Sequence, residues 1–198
     1  VVWEDVQGSS YGVHAQRIAS DASLAWGACA IQVATTSISE TVPHVVTDGL
    51  PGTLRGAWVA WLDRPQQFGD VEVFVAHLAT DGRASPKTLI STTIPGDDRN
   101  VQMISDGVGG AIVAWQHFNT STGHSEIHCQ RLNPDGSVRW QQGPVVVCNH
   151  GGSDHYQPQL CSDGAEGAYV TWYDNRDMAQ GVTDRYVHRI GQNGDLAA

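Results

Sequence analysis

Asp5, Asp63 and Asp174 each stand two residues past a tryptophan, and His117 takes the same place after Trp115. Carboxylates held in fixed pairs can act as acid and base on a glycosidic bond. Here the four groups recur at one repeat position, which spreads them around a rim instead of converging them on one bond. Arg64, Asn119, Asn175 and Arg176 lie in the same stretches, with Tyr11, Phe68, Phe118 and Tyr173 nearby. Polar groups beside aromatic rings suit a sugar. The candidate ligand-binding residues are therefore Asp5, Asp63, Arg64, His117, Asn119, Asp174, Asn175 and Arg176. No residue stands out as catalytic. There is no Gly-x-Ser-x-Gly, and no glycine loop precedes a helix to cradle phosphate.

Metal chemistry has weaker support. His44, His117, His124, His128, His150, His155 and His188 show no HExxH-like spacing, so structural or solvated histidine is expected, with zinc the lesser reading. Asp48, Asp106 and Asp163 each sit in a Ser/Thr-Asp-Gly turn. Calcium needs six to eight oxygens, and one Asp among glycines is thin. The carboxylate is expected to accept N–H groups of its own turn. Neither a metal nor another cofactor is expected, with calcium the alternative. Cys29, Cys129, Cys148 and Cys161 form no CxxC pair; buried thiols are expected, with a Cys148–Cys161 disulfide as rival. Asn119-Thr120-Ser121 matches a glycosylation sequon.

The elements that position these groups are repeats. Trp3, Trp61, Trp115 and Trp172 recur about every 55 residues. A basic landmark follows each at Arg17, His77, Arg131 and Arg189, then a turn at Ser20-Asp21, Asp81-Gly82, Asp135-Gly136 and Asn193-Gly194. Arg17, Arg131 and Arg189 are expected to be structural, paired with a carboxylate or stacked on a tryptophan; an anion-binding ring is the alternative. In the third unit the strands are expected at 101–105, 111–115, 126–132 and 138–147. Pro134-Asp135-Gly136 and Asn193-Gly194 make tight turns. No stretch holds helical periodicity. Units of this size and strand content are the size of propeller blades. Packing on both faces explains the unbroken apolar run Ala111-Ile112-Val113-Ala114-Trp115.

The expected fold is an all-β propeller of four-stranded antiparallel blades, 1–198 forming one segment. Residues 1–42 make a partial blade, 43–99 and 100–155 full blades, and 156–198 a second partial blade. With three, four, four and three strands the ring does not close, so a partial ring of a larger propeller is expected. Its ends would be completed by more chain or by contacts between copies.

Composition narrows the partners. One lysine and ten arginines face 21 acids, for a net charge of -10. That argues against a phosphate-backbone partner. No apolar stretch is long enough to span a membrane. Charged residues are only 16%, but seven tryptophans exclude disorder.

The pattern Asp-Gly-x-Gly-Gly-Ala-x-Val-Ala-Trp, clearest from Asp106 to Trp115, continues with Gln130-Arg131-Leu132, Asp135-Gly136 and Trp140. With Trp172-Tyr173-Asp174-Asn175-Arg176, it resembles repeats of bacterial secreted and cell-surface β-propeller proteins. The second unit departs from it, with an insertion at Leu50 to Arg55 and His77 in place of the arginine. The resemblance implies an extracellular or cell-surface scaffold and no reaction. The Ser-x-Asp-x-Gly-x-x-Trp signature of sialidase propellers is absent. The expected function is a non-catalytic interaction module binding protein or glycan through rim loops or assembling with further copies. The alternatives are a lectin-like propeller and part of a glycoside hydrolase.

Overall fold

The computed structural model describes residues 1–7, 10–36, 42–51, 56–64, 69–91, 94–177 and 182–197. Among these residues, fourteen strands form four antiparallel sheets, each built from consecutive strands. The first holds β1 (Val2–Gln7), β2 (Ser10–Ala15) and β3 (Ile31–Thr36). The second holds β4 (His44–Thr47), β5 (Ala57–Asp63), β6 (Glu72–Leu78) and β7 (Thr88–Leu89). The third holds β8 (Asp98–Ser105), β9 (Ala111–Asn119), β10 (His124–Leu132) and β11 (Val145–Cys148). The fourth holds β12 (His155–Ser162), β13 (Ala168–Asp174) and β14 (Asp184–Ile190). Among the described residues no helix is long and apolar enough to cross a membrane.

The sheets stack face on face in chain order, and three apolar cores fill the gaps. Val13 and Ala15 meet Val59, Trp61 and Phe74 between the first two sheets. Trp58, Ala60 and Leu62 meet Val113 and Trp115 between the second and third. Ile112, Ala114 and Ile127 meet Val170 and Trp172 between the third and fourth. Successive residues of β9 thus enter different cores, because side chains alternate along a strand. This is why the strand is apolar throughout. Indole N–H groups also reach across each gap to a main-chain carbonyl: Trp26 to Thr80, Trp58 to Gly109, and Trp140 to Gln192, at 2.9–3.2 Å.

The recurring turn is built around its aspartate. Asp106 Oδ1 accepts the N–H groups of Val108 and Gly110, and Oδ2 takes the Arg131 guanidinium at 2.8 Å. Asp163 accepts from Ala165 and Gly167 and pairs with Arg189; Asp48 accepts from Leu50 and Gly56 and faces His77. N–H donors and a cation thus take the oxygens that calcium would need. A Cβ at Gly110 would strike the Leu132 carbonyl and the Asp106 carboxylate, so only glycine admits this approach. Arg131 also bonds Glu166 of the next sheet, at 2.7 Å. Arg17 is exposed.

Several expectations need correcting. Strand β8 begins at Asp98 and β12 at His155, so the boundaries drawn at 99/100 and 155/156 shift toward the N-terminus. A bulge near the start of each strand hides this. The register slips between Arg99 and Gln102, and again between Tyr156 and Gln159, with Asn100 and Gln157 in the left-handed region at φ 52° and 51°. The fourth strand of the third unit is Val145–Cys148, not 138–147. Val138 makes only an isolated bridge to Leu132, and Trp140 turns inward onto Gln130 instead. All four cysteines are free, so Cys148 and Cys161 form no disulfide, and Cys129 alone is fully buried.

Candidate functional site at the rim between blades

The ends of β5, β9 and β13 lie beside the starts of β6, β10, β8 and β12 on one edge of the sheets. Strand pairing sets Asp98 opposite His117, and His155 opposite Asp174. The bulges in β8 and β12 lie just past these residues, where a local kink re-aims the side chain.

Between the second and third sheets the result is a buried polar chain. Asp98 Oδ1 lies 2.9 Å from His117 Nδ1, and both residues are almost fully buried. The ring of His117 lies 4.9 Å from that of His128, whose Nε2 meets Glu126 at 2.9 Å. Asn119 donates to the other Glu126 oxygen at 2.9 Å. On the second sheet Ser91 donates to Glu72. His117 Nε2 is buried with no hydrogen-bond partner among the described residues.

The two glutamates sit in opposite electrostatic settings. Burial pushes Glu72 up to about 7, and the nearby Asp98 and Asp70 carboxylates add to the rise against the Ser91 bond. The His128 bond holds Glu126 below the ordinary carboxylate range, helped by Asn119 against some desolvation. Burial raises Asp98, opposed by His117 and Ser91. Near neutral pH, one carboxyl of the chain carries a proton while another is ionised.

Between the third and fourth sheets the equivalent positions hold other chemistry. His155 Nδ1 meets the Ser125 carbonyl at 2.8 Å, and Nε2 faces Asp174 Oδ2 at 3.2 Å. Arg176 clamps Asp174 at 2.5 and 3.0 Å, its guanidinium over the Tyr186 ring. Hydrogen bonds from Arg176 and Trp172, against burial, bring Asp174 down to about 2. Cys148, His155 and Asp174 offer donor atoms within 4.8 Å of one another. A cleft of about 290 Å³ beside His155 is lined also by Glu126, His124, His150 and Ser153.

The rim residues singled out from sequence divide. Asp63, His117, Asn119 and Asp174 are buried, and each is held by the fold. Lys87 pairs with Asp63 at 3.0 Å, its own ammonium over Phe74. Asn175 accepts from the Asp154 N–H at 2.6 Å. Asp5 lies 3.8 Å from His14. Arg64 is half-buried, while Phe68 and parts of the loops at 4–10, 62–70 and 173–184 fall outside the described residues. Neighbours of His117 and Asp174 join them: Asp98, Glu126, His128, Cys148 and His155. Sequence reasoning passed over Glu72, Asp98 and Glu126. One signal was available, since Glu72 and Glu126 both lie eleven residues after a repeat tryptophan.

No protein-family profile and no curated protein matches the chain. Solved structures do. An α-L-arabinanase of Penicillium chrysogenum, complexed with arabinobiose, superposes with a TM-score of 0.51 at 11% identity. The fold is a β-propeller. The match covers 99% of this chain and 58% of the arabinanase, so the chain spans little over half that relative's length. An endo-arabinase of Bacteroides thetaiotaomicron aligns over 94% of this chain and 72% of its own, at 10% identity and a TM-score of 0.43. The four sheets are thus blades of a partial propeller, and the polar row lies on the edge where their second strands end.

Proposed function

We propose that this propeller segment acts on carbohydrate, hydrolysing a glycosidic bond at the rim of the second and third blades. Glu72 donates the proton to the leaving oxygen. Glu126, ionised, takes a proton from the water that adds to the anomeric carbon. Asp98, His117 and His128 form the row of polar groups that connects them. The observation that carries the proposal is the buried polar row in which Ser91 holds Glu72, Asp98 holds His117, and His128 and Asn119 hold Glu126, a setting that raises the Glu72 carboxyl to about 7 and lowers Glu126. The propeller likeness to an arabinanase makes arabinan the first substrate to test. We also propose an extracellular setting, on the resemblance of the repeats to secreted propellers.

The test is release of reducing ends from arabinan and a panel of other polysaccharides. Turnover that falls as pH rises above about 7, and is lost in Glu72→Gln, is the expected result. Turnover unchanged in Glu72→Gln overturns the assignment.

A second reading, an interaction module without turnover, draws on the outer blades. Trp3 on the first, and Tyr169 and Val187 on the fourth, are 36%, 43% and 58% exposed, where their counterparts elsewhere lie in blade interfaces. Self-association on sedimentation, with no hydrolysis of any substrate, would favour it.

A further inference from the structure

We propose that Cys148, His155 and Asp174 form a binding site for a zinc-class divalent cation at the interface of the third and fourth blades, distinct from the carboxyl chain around Glu72. The three come from three separate elements: the end of β11, the start of β12 and the end of β13. Their donor atoms lie within 4.8 Å of one another. Zinc bonds of about 2.0–2.3 Å put tetrahedral donors roughly 3.3–3.8 Å apart. His155 Nε2 and Asp174 Oδ2 already stand at 3.2 Å. The remaining adjustment falls on Cys148, which is only half-buried.

The histidine is oriented as a ligand. A carbonyl only accepts, so the bond to Ser125 fixes the proton on Nδ1 and leaves Nε2 to face the site. That arrangement also speaks against a Cys-His-Asp nucleophile. Nδ1 is committed to Ser125 and Nε2 faces the carboxylate, so no ring nitrogen is left to take the Cys148 proton.

Asp174 and Cys148 already draw one cation, the Arg176 guanidinium. Arg176 Nη2 lies 2.5 Å from Asp174 Oδ2 and 3.8 Å from Cys148 Sγ, and the Trp172 indole N–H reaches Oδ2 at 3.3 Å, so the metal takes the place of the Nη2 contact while Arg176 keeps Oδ1 through Nε at 3.0 Å and its own backbone N–H at 2.9 Å. The Tyr186 ring, 3.9 Å from the guanidinium carbon, still seats the arginine. On binding, the Cys148 thiol and the His155 Nε2 that faces Asp174 give their protons to solvent, and thiolate and neutral imidazole bond the metal. The cleft lined by His150, Ser153 and His155 approaches from the His155 side, with Ser153 Oγ 3.4 Å from His155 Nε2. A thiolate, an imidazole and one carboxylate select zinc-like ions over calcium or magnesium.

The test titrates metal-free chain with Co(II) alone. The expected result is one equivalent bound with a thiolate-to-cobalt charge-transfer band, lost in Cys148→Ser and kept in Cys161→Ser. No band in the native chain, or a band surviving in Cys148→Ser, overturns the proposal. Should Cys148→Ser fail to fold, alkylation of the native chain replaces it, mapped by mass spectrometry. One equivalent of zinc should slow modification of Cys148 about tenfold while leaving Cys29 and Cys161 unaffected. Equal slowing, or none, refutes the site.

Discussion

His155 and Asp174 face each other across β12 and β13 at 3.2 Å, and one blade earlier Asp98 and His117 hold the same two positions with acid and imidazole exchanged. The repeat therefore conserves an ion-pairing slot and not a residue order. What surrounds the slot sets its chemistry. Arg176 fixes Asp174 as an anion, whereas Asp98 sits by the proton-bearing Glu72 and is itself raised.

Asp174 should make the protein acid-sensitive in a narrow window. Its folded value of about 2 lies below the ordinary 3.8, so the stability it contributes is present above about 4. It is lost as pH falls through about 2. Denaturant melts in a metal-free buffer should show a slope there, and Asp174→Asn should flatten it.

Glu72 works in the opposite sense and in another window. Its value rises from 4.5 to about 7 on folding, so the folded state holds the proton more tightly than the unfolded chain. Stability should decline as pH climbs from about 4.5 through about 7 and level off beyond. Glu72→Gln should be more stable than the native chain above that range. Some slope should remain, because Asp98 is raised as well.

Trp115 is fully buried between the second and third blades. Trp115→Ala should cost about 3–5 kcal/mol. Its indole N–H has no partner among the described residues, so Trp115→Phe removes area without breaking a bond. That variant should cost clearly less than Trp115→Ala, because most of the ring volume is kept. Equal losses in chemical melts would mean the ring is not packed as described.

Arg131 joins Asp106 in its own blade to Glu166 in the next, with its side chain 4% exposed. Arg131→Ala leaves Asp106 buried without its cation and should cost about 3–5 kcal/mol. Arg189 pairs with Asp163 in the same way but is 41% exposed, and solvent screens it. Arg189→Ala should therefore give the smaller loss, read as the difference in denaturation midpoint between the two variants.

The architecture was legible because its signals are local. Tryptophan intervals, Asp-Gly turns and apolar runs are properties of short stretches, and they yield fourteen strands in groups of three, four, four and three. The starts of β8 and β12 were hidden by geometry. Asn100 and Gln157 adopt a left-handed backbone, which asparagine tolerates but glutamine does not announce, and the polar letters around them read as loop. The site was harder for a related reason. Asp63, His117 and Asp174 look like rim-loop groups in sequence, but they end buried strands, and their partners come from neighbouring strands and blades. Glu72 gains its character from burial and, secondarily, from Asp98, 26 positions away, and neither is written in its local sequence.

Each cross-blade indole bond ends on a carbonyl of the main chain, at Thr80, Gly109 or Gln192, and so makes no demand on which residue supplies it. A lineage carrying this joint can duplicate, swap or splice whole units without rewriting the joint. That freedom lets adjacent copies drift apart at their slots, one toward a row of carboxyls and imidazoles and the other toward a thiol beside an imidazole.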